Sequence, residues 1–192
     1  SDKAIDFVNK IKRNELTNGH IFFNNTLNLH IKKRNLPTIF LYRDPRAIFV
    51  SEIHYLSDMN KWHRCHKYYK QCNSFKEKFN LCLNGIDNQK FYYPPFKERI
   101  DRYIKWINQP HVLSIRYEDL IDNGSLDKVL GVLIEYISKY KDISNLQFKS
   151  INPHDSHTYT GMDPNRWKIQ LSNIEINTLN TNLKNELIEL DY

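Results

Sequence analysis

The chain has 192 residues, 40% hydrophobic, 13% aromatic and 26% charged, a composition too rich in aromatics for a disordered segment and long enough to close a core as one domain, 1–192. Three cysteines exclude a disulfide scaffold, five glycines exclude Gly-rich linkers, and no apolar run approaches the roughly 20 residues of a membrane helix. The excess of 28 Lys and Arg over 22 Asp and Glu, net charge +6, favours an anionic partner without choosing among nucleotide, sulfated or phosphorylated substrate, nucleic acid and membrane surface. The chain opens on Ser1 rather than Met, as a processed or excised piece would, and shows no signal-peptide pattern, so a cytoplasmic location is the expectation.

Residues 2–16 read as a first helix, with Asp2 as a cap and Ile5, Val8, Ile11 and Lys12 at helical spacing. Thr17-Asn18-Gly19 ends it, and His20–Phe23 reads as a short strand or strand edge. Leu27–Arg34 is a second helix closing on Lys32-Lys33-Arg34. Thr38–Tyr42 is β-branched and aromatic and apolar on both faces, the pattern of a buried parallel strand. Asp44 is then a good N-cap and Pro45 a good first helical residue, which predicts a helix from Pro45 to about Asp58 with Ile48, Ser51, Glu52 and Tyr55 on one side.

Residues 62–88 are polar, partly basic and aromatic, with a helical pattern from Phe75 to Leu83. Tyr92-Tyr93-Pro94-Pro95 is a break, and Phe96–Ile107 a helix carrying Ile100, Tyr103, Ile104 and Trp106. Val112–Tyr117 repeats the buried-strand pattern, Leu126–Ser138 is a helix, 141–166 a loop and Asn173–Leu190 a closing helix. Strand followed by helix, twice over, predicts an α/β fold with a parallel sheet flanked by helices.

Two constellations carry chemistry. At Arg43-Asp44-Pro45-Arg46 a helix starts where a parallel strand ends, a place where backbone N–H groups and the helix dipole attract anions. Arg43 adds a planar fork suited to phosphate, and Ser51 follows eight positions on; the plainer reading is a helix cap with a surface Arg–Asp pair. His20, taken by itself, reads as a hydrogen-bonded histidine at a strand edge.

In Trp62–Cys72, the residues His63, Cys65, His66 and Cys72 match no common zinc spacing and do not converge on a helix, so no metal is expected. Two readings fit this stretch equally. It is a basic, aromatic flap that holds acidic groups and stacks on rings, or a solvated helix with lysines lying along apolar surface. The basic residues are otherwise dispersed, and no nucleic-acid-binding motif is visible, so nucleic acid is not an expected partner.

The run Phe40-Leu41-Tyr42-Arg43-Asp44-Pro45-Arg46-Ala47-Ile48-Phe49-Val50-Ser51 resembles the 3′-phosphate-binding segment of sulfotransferases that use 3′-phosphoadenosine-5′-phosphosulfate (PAPS). Three further segments follow the family's order. Thr17-Asn18-Gly19-His20-Ile21 resembles the segment of the catalytic histidine, 23 positions ahead of Arg43. Leu113–Leu120 resembles the strand ending in Tyr-Glu-Asp-Leu, whose Tyr approaches the adenine. Arg166-Trp167-Lys168, with Leu171-Ser172 and the final helix, resembles the C-terminal Trp-Lys segment. Gly85–Ile107 has the pattern of the acceptor-side loop and the helix after it.

The resemblance covers about residues 17–192 and implies a P-loop-like sulfotransferase fold lacking its N-terminal strand-loop-helix unit, because the 19 residues before His20 read as a plain helix. The family's Arg-Lys-Gly is likewise not evident, and His154, His157, Gly161 and Arg166 stand in that neighbourhood. Asn18 replaces the basic residue often found two before the histidine.

What the resemblance implies is transfer of a sulfuryl group from PAPS to a hydroxyl or amine of a small-molecule or glycan acceptor, with no metal. His20 is then the base, Arg43 and Ser51 hold the 3′-phosphate, and Tyr117, Arg166 and Trp167 contact the nucleotide region. The missing phosphosulfate loop is expected from upstream sequence or a partner chain. The alternatives are a catalytically degenerate relative that binds a nucleotide or polyanionic partner without turnover, and a basic module for polyanions.

Overall fold

The computed structural model describes residues 2–12, 15–143 and 163–192. The chain divides into two compact units: residues 1–42 with 102–147, and 43–101 with 148–192. Each has its own hydrophobic core and is described by itself.

The first unit begins with helices α1 (Asp2–Asn9) and α2 (Asn25–Lys33). Asn24 caps α2 by accepting from the Leu27 N–H at 3.2 Å. Strand β1 (Thr38–Tyr42) pairs in parallel with a second strand, Val112–Arg116, with Thr38 opposite Val112 and Tyr42 opposite Arg116. Leu27 and Ile31 of α2, Val8 of α1, Trp106 and Val112 form the core, against which Phe40 of β1 packs. The sheet is flanked by helices, as the alternation of strands and helices predicts.

Burial of β1 differs from the expectation of two covered faces. Ile39 and Leu41 are 42% and 53% exposed, while Thr38, Phe40 and Tyr42 are half-buried. Pairing in the described residues joins two strands, so the apolar pattern of β1 exceeds what its neighbours there cover.

The second unit starts after β1 with α3 (Pro45–His54), which passes into a π-helical turn, Tyr55–Met59, closed by the Asn60 N–H on the Tyr55 carbonyl at 2.8 Å. Then come α4 (His66–Lys70) and α5 (Phe75–Asn84). An antiparallel hairpin of β2 (Ile86–Asn88) and β3 (Phe91–Tyr93) stands where sequence reading placed only a break. Its turn is an Asx type: Asn88 Oδ1 accepts from the N–H groups of Lys90 and Phe91, both at 3.0 Å. Gly85, at φ +74, enters the hairpin where a Cβ would lie 2.3 Å from the Tyr93 carbonyl oxygen. Phe49 of α3 is fully buried against Phe79 and Phe96, with ring centroids 4.9 Å away in each case.

Helix α6 (Phe96–Ile104) runs from the second unit into the first, where Val112–Arg116, now β4, leads to α7 (Tyr117–Ile121) and α8 (Asn123–Ser138). The chain closes with α9 (Arg166–Gln170), α10 (Asn173–Asn182) and α11 (Lys184–Glu189) in the second unit. The predicted closing helix is therefore two helices, and Arg166 opens a helix of its own. Leu179, Leu183 and Leu187 carry the apolar face across the break at Leu183. The expected first helix ends at Asn9, earlier than residue 16. The Asp2 cap and most of the loop expected over 141–166, including His154, His157 and Gly161, fall outside the described residues.

The His20–Phe23 segment is not a strand. The Trp106 indole N–H donates to the Ile21 carbonyl at 3.0 Å, and the Phe23 N–H donates to the Arg102 carbonyl at 2.7 Å. Phe22 lies 4.7 Å from Tyr103 and Phe23 meets Trp106 edge-on at 5.0 Å. These bonds hold the segment as an ordered coil along residues 102–106.

Tyr136 of α8 ties β1 to the approach of β4. Its hydroxyl accepts from the Thr38 N–H at 2.8 Å and lies 3.0 Å from the Thr38 carbonyl and 2.8 Å from the His111 carbonyl. Burial pushes its phenol up to about 12, so it remains a donor throughout the neutral range. Tyr136→Phe leaves these backbone groups without the hydroxyl and should cost about 1–3 kcal/mol, read as a lower urea midpoint; an unchanged midpoint would contradict this role.

Candidate active site

The head of α3 is the most constrained part of the second unit. Asp44, only 6% exposed, accepts the Arg46 backbone N–H on Oδ1 at 2.8 Å and so caps the helix. The same carboxylate takes the Arg46 guanidinium, with Nε–Oδ1 at 3.0 Å and Nη2–Oδ2 at 2.9 Å. Arg46 Nη1 donates to Asn180 Oδ1 of α10 at 3.0 Å. Its guanidinium carbon lies 4.3 Å from the ring centroid of Trp167 in α9. One residue of the motif thus joins three helices.

This arrangement separates the roles of the two arginines. Arg46 is committed to Asp44, Asn180 and Trp167 and neutralises the buried cap. Arg43, half-buried, directly precedes the cap, and Ser51 is exposed on the seventh residue of α3. The surface Arg–Asp pair that sequence reading held as the plainer alternative is present, but it is Arg46–Asp44 and it is largely buried.

Trp167 is 5% exposed and belongs to the second unit's core, beneath Arg46. Arg166 beside it is positioned by Gln170. With its amide oxygen turned toward Arg166, Gln170 accepts from Nε at 2.9 Å and Nη2 at 3.2 Å, while its nitrogen donates to His54 Nε2 at 2.9 Å. His54 is the last residue of α3, so α9 is tied to both ends of that helix.

In the first unit His20 is exposed, and among the described residues its ring has no hydrogen-bond partner. The next residue, Ile21, is the one whose carbonyl Trp106 holds. An accessible imidazole on an anchored backbone is the arrangement a general base needs. Tyr117, half-buried, is the first residue of α7 at the carboxyl end of β4. The structure therefore gathers Arg43, Ser51, Arg166 and Trp167 in the second unit and His20 and Tyr117 in the first.

Sequence reading missed a buried polar cluster around Glu52 of α3. Glu52 Oε1 accepts from Arg99 Nη2 at 2.6 Å and from the Tyr93 hydroxyl at 3.3 Å. Arg99, 7% exposed, also donates to the Pro94 carbonyl at 2.6 Å and stacks over Tyr93 at 4.2 Å. Burial pushes the Glu52 carboxyl up from its ordinary value, and Arg99 opposes that shift. The neighbouring groups are quenched by the same burial: the Cys65 thiol rises to about 12, and Cys82, Tyr69 and Tyr93 also rise. No sequence signal pairs residues as far apart as Glu52 and Arg99. Cys65, Cys72 and Cys82 are free thiols. Among the described residues no group of three or more His, Cys, Asp or Glu is placed to hold a metal ion. Among the same residues no helix is long and apolar enough to cross a membrane.

With this geometry in hand, comparison with known proteins assigns the family. The profile of the family described as Sulfotransferase domain matches residues 1–145, most of the chain. The chain belongs to the sulfotransferase domain family. Among solved structures it is similar to mouse sulfotransferase SULT7A1 complexed with PAP, at 16% sequence identity and a TM-score of 0.52. The match covers 83% of this chain and 61% of that one, so the chain spans less than two thirds of that protein; at this identity the likeness is one of fold. No curated protein sequence matches the chain.

Removing one member of the Glu52–Arg99 pair strands a charge in the core. Glu52→Ala should cost about 3–5 kcal/mol in chemical denaturation. Glu52→Leu combined with Arg99→Met should recover most of that loss. Equal destabilisation by the single and double variants would show that packing, not the stranded charge, dominates.

Proposed function

We propose that this chain is part of a sulfotransferase that moves a sulfuryl group from PAPS to a hydroxyl or amine of a small-molecule or glycan acceptor. The observation that carries the reading is the head of α3. Arg46 satisfies the buried Asp44, Arg43 directly precedes that cap, and the exposed Ser51 lies about two turns along the same helix. A guanidinium fork, a hydroxyl and the positive end of a helix make a donor set suited to a dianionic phosphate. Family membership names that phosphate as the nucleotide's 3′-phosphate, and the neighbour complexed with PAP supports the same choice.

In this reading Arg43 and Ser51 hold the 3′-phosphate, and Arg166 and Tyr117 contribute to the nucleotide region. Trp167 acts there through Arg46, whose guanidinium it supports. His20 takes the proton of the acceptor group as its oxygen or nitrogen bonds to sulfur and the sulfur–oxygen bond to the phosphate breaks. The phosphosulfate end of the nucleotide is held by residues beyond those assigned here, supplied by upstream sequence or a partner chain. A relative that binds the nucleotide without turnover would share the α3 site and differ at His20.

Arg43→Ala should weaken binding of adenosine 3′,5′-bisphosphate by about 1–3 kcal/mol, the scale of a charged hydrogen bond, measured by calorimetry. Unchanged affinity would overturn the assignment of Arg43. His20→Ala should lower turnover by roughly 10²–10⁴-fold with cofactor affinity kept. Equal losses in both would make His20 structural.

A further inference from the structure

The stretch after the π-helical turn and the β2–β3 hairpin enclose an open cleft of about 290 Å³ in the second unit. Lys61, Arg64, Lys67 and Lys90 line it, and His63, His66 and Phe91 complete the wall. Among the described residues that line it there is no carboxylate. The nearby Asp58 is engaged by Lys70 at 3.5 Å, and among the described residues none of the four lining cations forms an ion pair.

Two of these cations, Arg64 and Lys67, rest on an aromatic stack. Tyr93, Phe91 and Tyr68 lie in series, with centroids 6.3 Å and 5.6 Å apart and planes 15° and 13° from parallel. Each ring carries a cation: Arg99 at 4.2 Å from Tyr93, Arg64 at 4.5 Å from Phe91 and Lys67 at 4.9 Å from Tyr68. Arg99 is neutralised by Glu52, whereas Arg64 and Lys67 face the cleft uncompensated. Resting on ring faces restricts these long side chains before any ligand arrives, which lowers the entropy lost on binding.

His63 adds a donor. The Cys65 N–H donates to His63 Nδ1 at 3.1 Å, and burial together with Arg99 lowers the pKa of that ring, so its proton resides on Nε2. His66 Nδ1 meets the Leu56 carbonyl at 2.8 Å, which fixes the ring's orientation. Asn88 Nδ2 donates to the Tyr68 hydroxyl at 3.2 Å and holds the hairpin against α4.

We propose that this cleft is a second anion site that takes a small ligand bearing a sulfate, phosphate or carboxylate group. It is separate from the site at α3: past Ser51 the chain continues through the rest of α3 and its π-helical turn to Met59 before it reaches Lys61, and the two sites share no residue. The inference stands independently of the nucleotide reading, because none of its residues belongs to that site.

The test is calorimetric titration of the full chain with inorganic sulfate, inorganic phosphate, glucose 6-sulfate and glucuronate, with glucose as the neutral control. The variant combines Lys61→Gln, Arg64→Gln and Lys90→Gln, all exposed positions, and its urea midpoint checks folding. At least one oxyanion should bind the unmodified chain, and which one binds identifies the charged group. Binding should weaken at least tenfold in the triple variant, persist in Arg43→Ala and be absent with glucose. Should the triple variant fold poorly, Lys90→Glu alone should weaken binding at least threefold. The proposal is overturned by the absence of binding to any of the four oxyanions, by binding that survives these substitutions, or by binding confined to a long polyanion such as heparin.

Discussion

Asp44 is a buried carboxylate at the head of a helix, and burial forces a cation to its side. Arg46 meets that demand, and in doing so its guanidinium is drawn onto Trp167 and Asn180. The start of α3, α9 and α10 are thereby fixed to one another within the second unit. Two of the residues assigned to the nucleotide lie one position from this junction: Arg43 directly precedes Asp44, and Arg166 directly precedes Trp167. The geometry of the proposed phosphate site follows from a structural ion pair that does not itself contact the phosphate.

Charge is partitioned in a similar way through the rest of that unit. Two arginines, Arg46 and Arg99, pair with carboxylates under cover, each backed by an aromatic ring. The lysines and Arg64 around the hairpin line a cleft with no carboxylate among them.

Much of the fold was readable because its signals are local. β1, the Asp44-Pro45 start of α3, the helix at Phe75 and the second strand at Val112 all depend on residue types within a few positions. Where tertiary contacts decide, sequence reading went astray. His20–Phe23 has a strand's composition but lies as coil, because the Trp106 indole and the Arg102 carbonyl take its backbone groups. The β2–β3 hairpin has strands of three residues, too short for a period-2 pattern, although the Asx turn at Asn88 was a usable signal. At the candidate site the motif order proposed Arg43, Ser51 and His20. The contacts of Arg46 with Trp167 and Asn180 were not legible, since they join residues more than a hundred positions apart. Nor was Glu52–Arg99, whose partners lie 47 positions apart.

The central claim is that the head of α3 recognises a 3′-phosphate. The most direct measurement is the thermal stability of the unmodified chain in the presence of adenosine 3′,5′-bisphosphate and, separately, 5′-AMP. Ligand at about 100 times its dissociation constant stabilises a folded protein by roughly 2.7 kcal/mol, a readable rise in Tm. The account predicts that rise with the bisphosphate and little with 5′-AMP at the same concentration. Equal shifts with both nucleotides, or none with either, would contradict it.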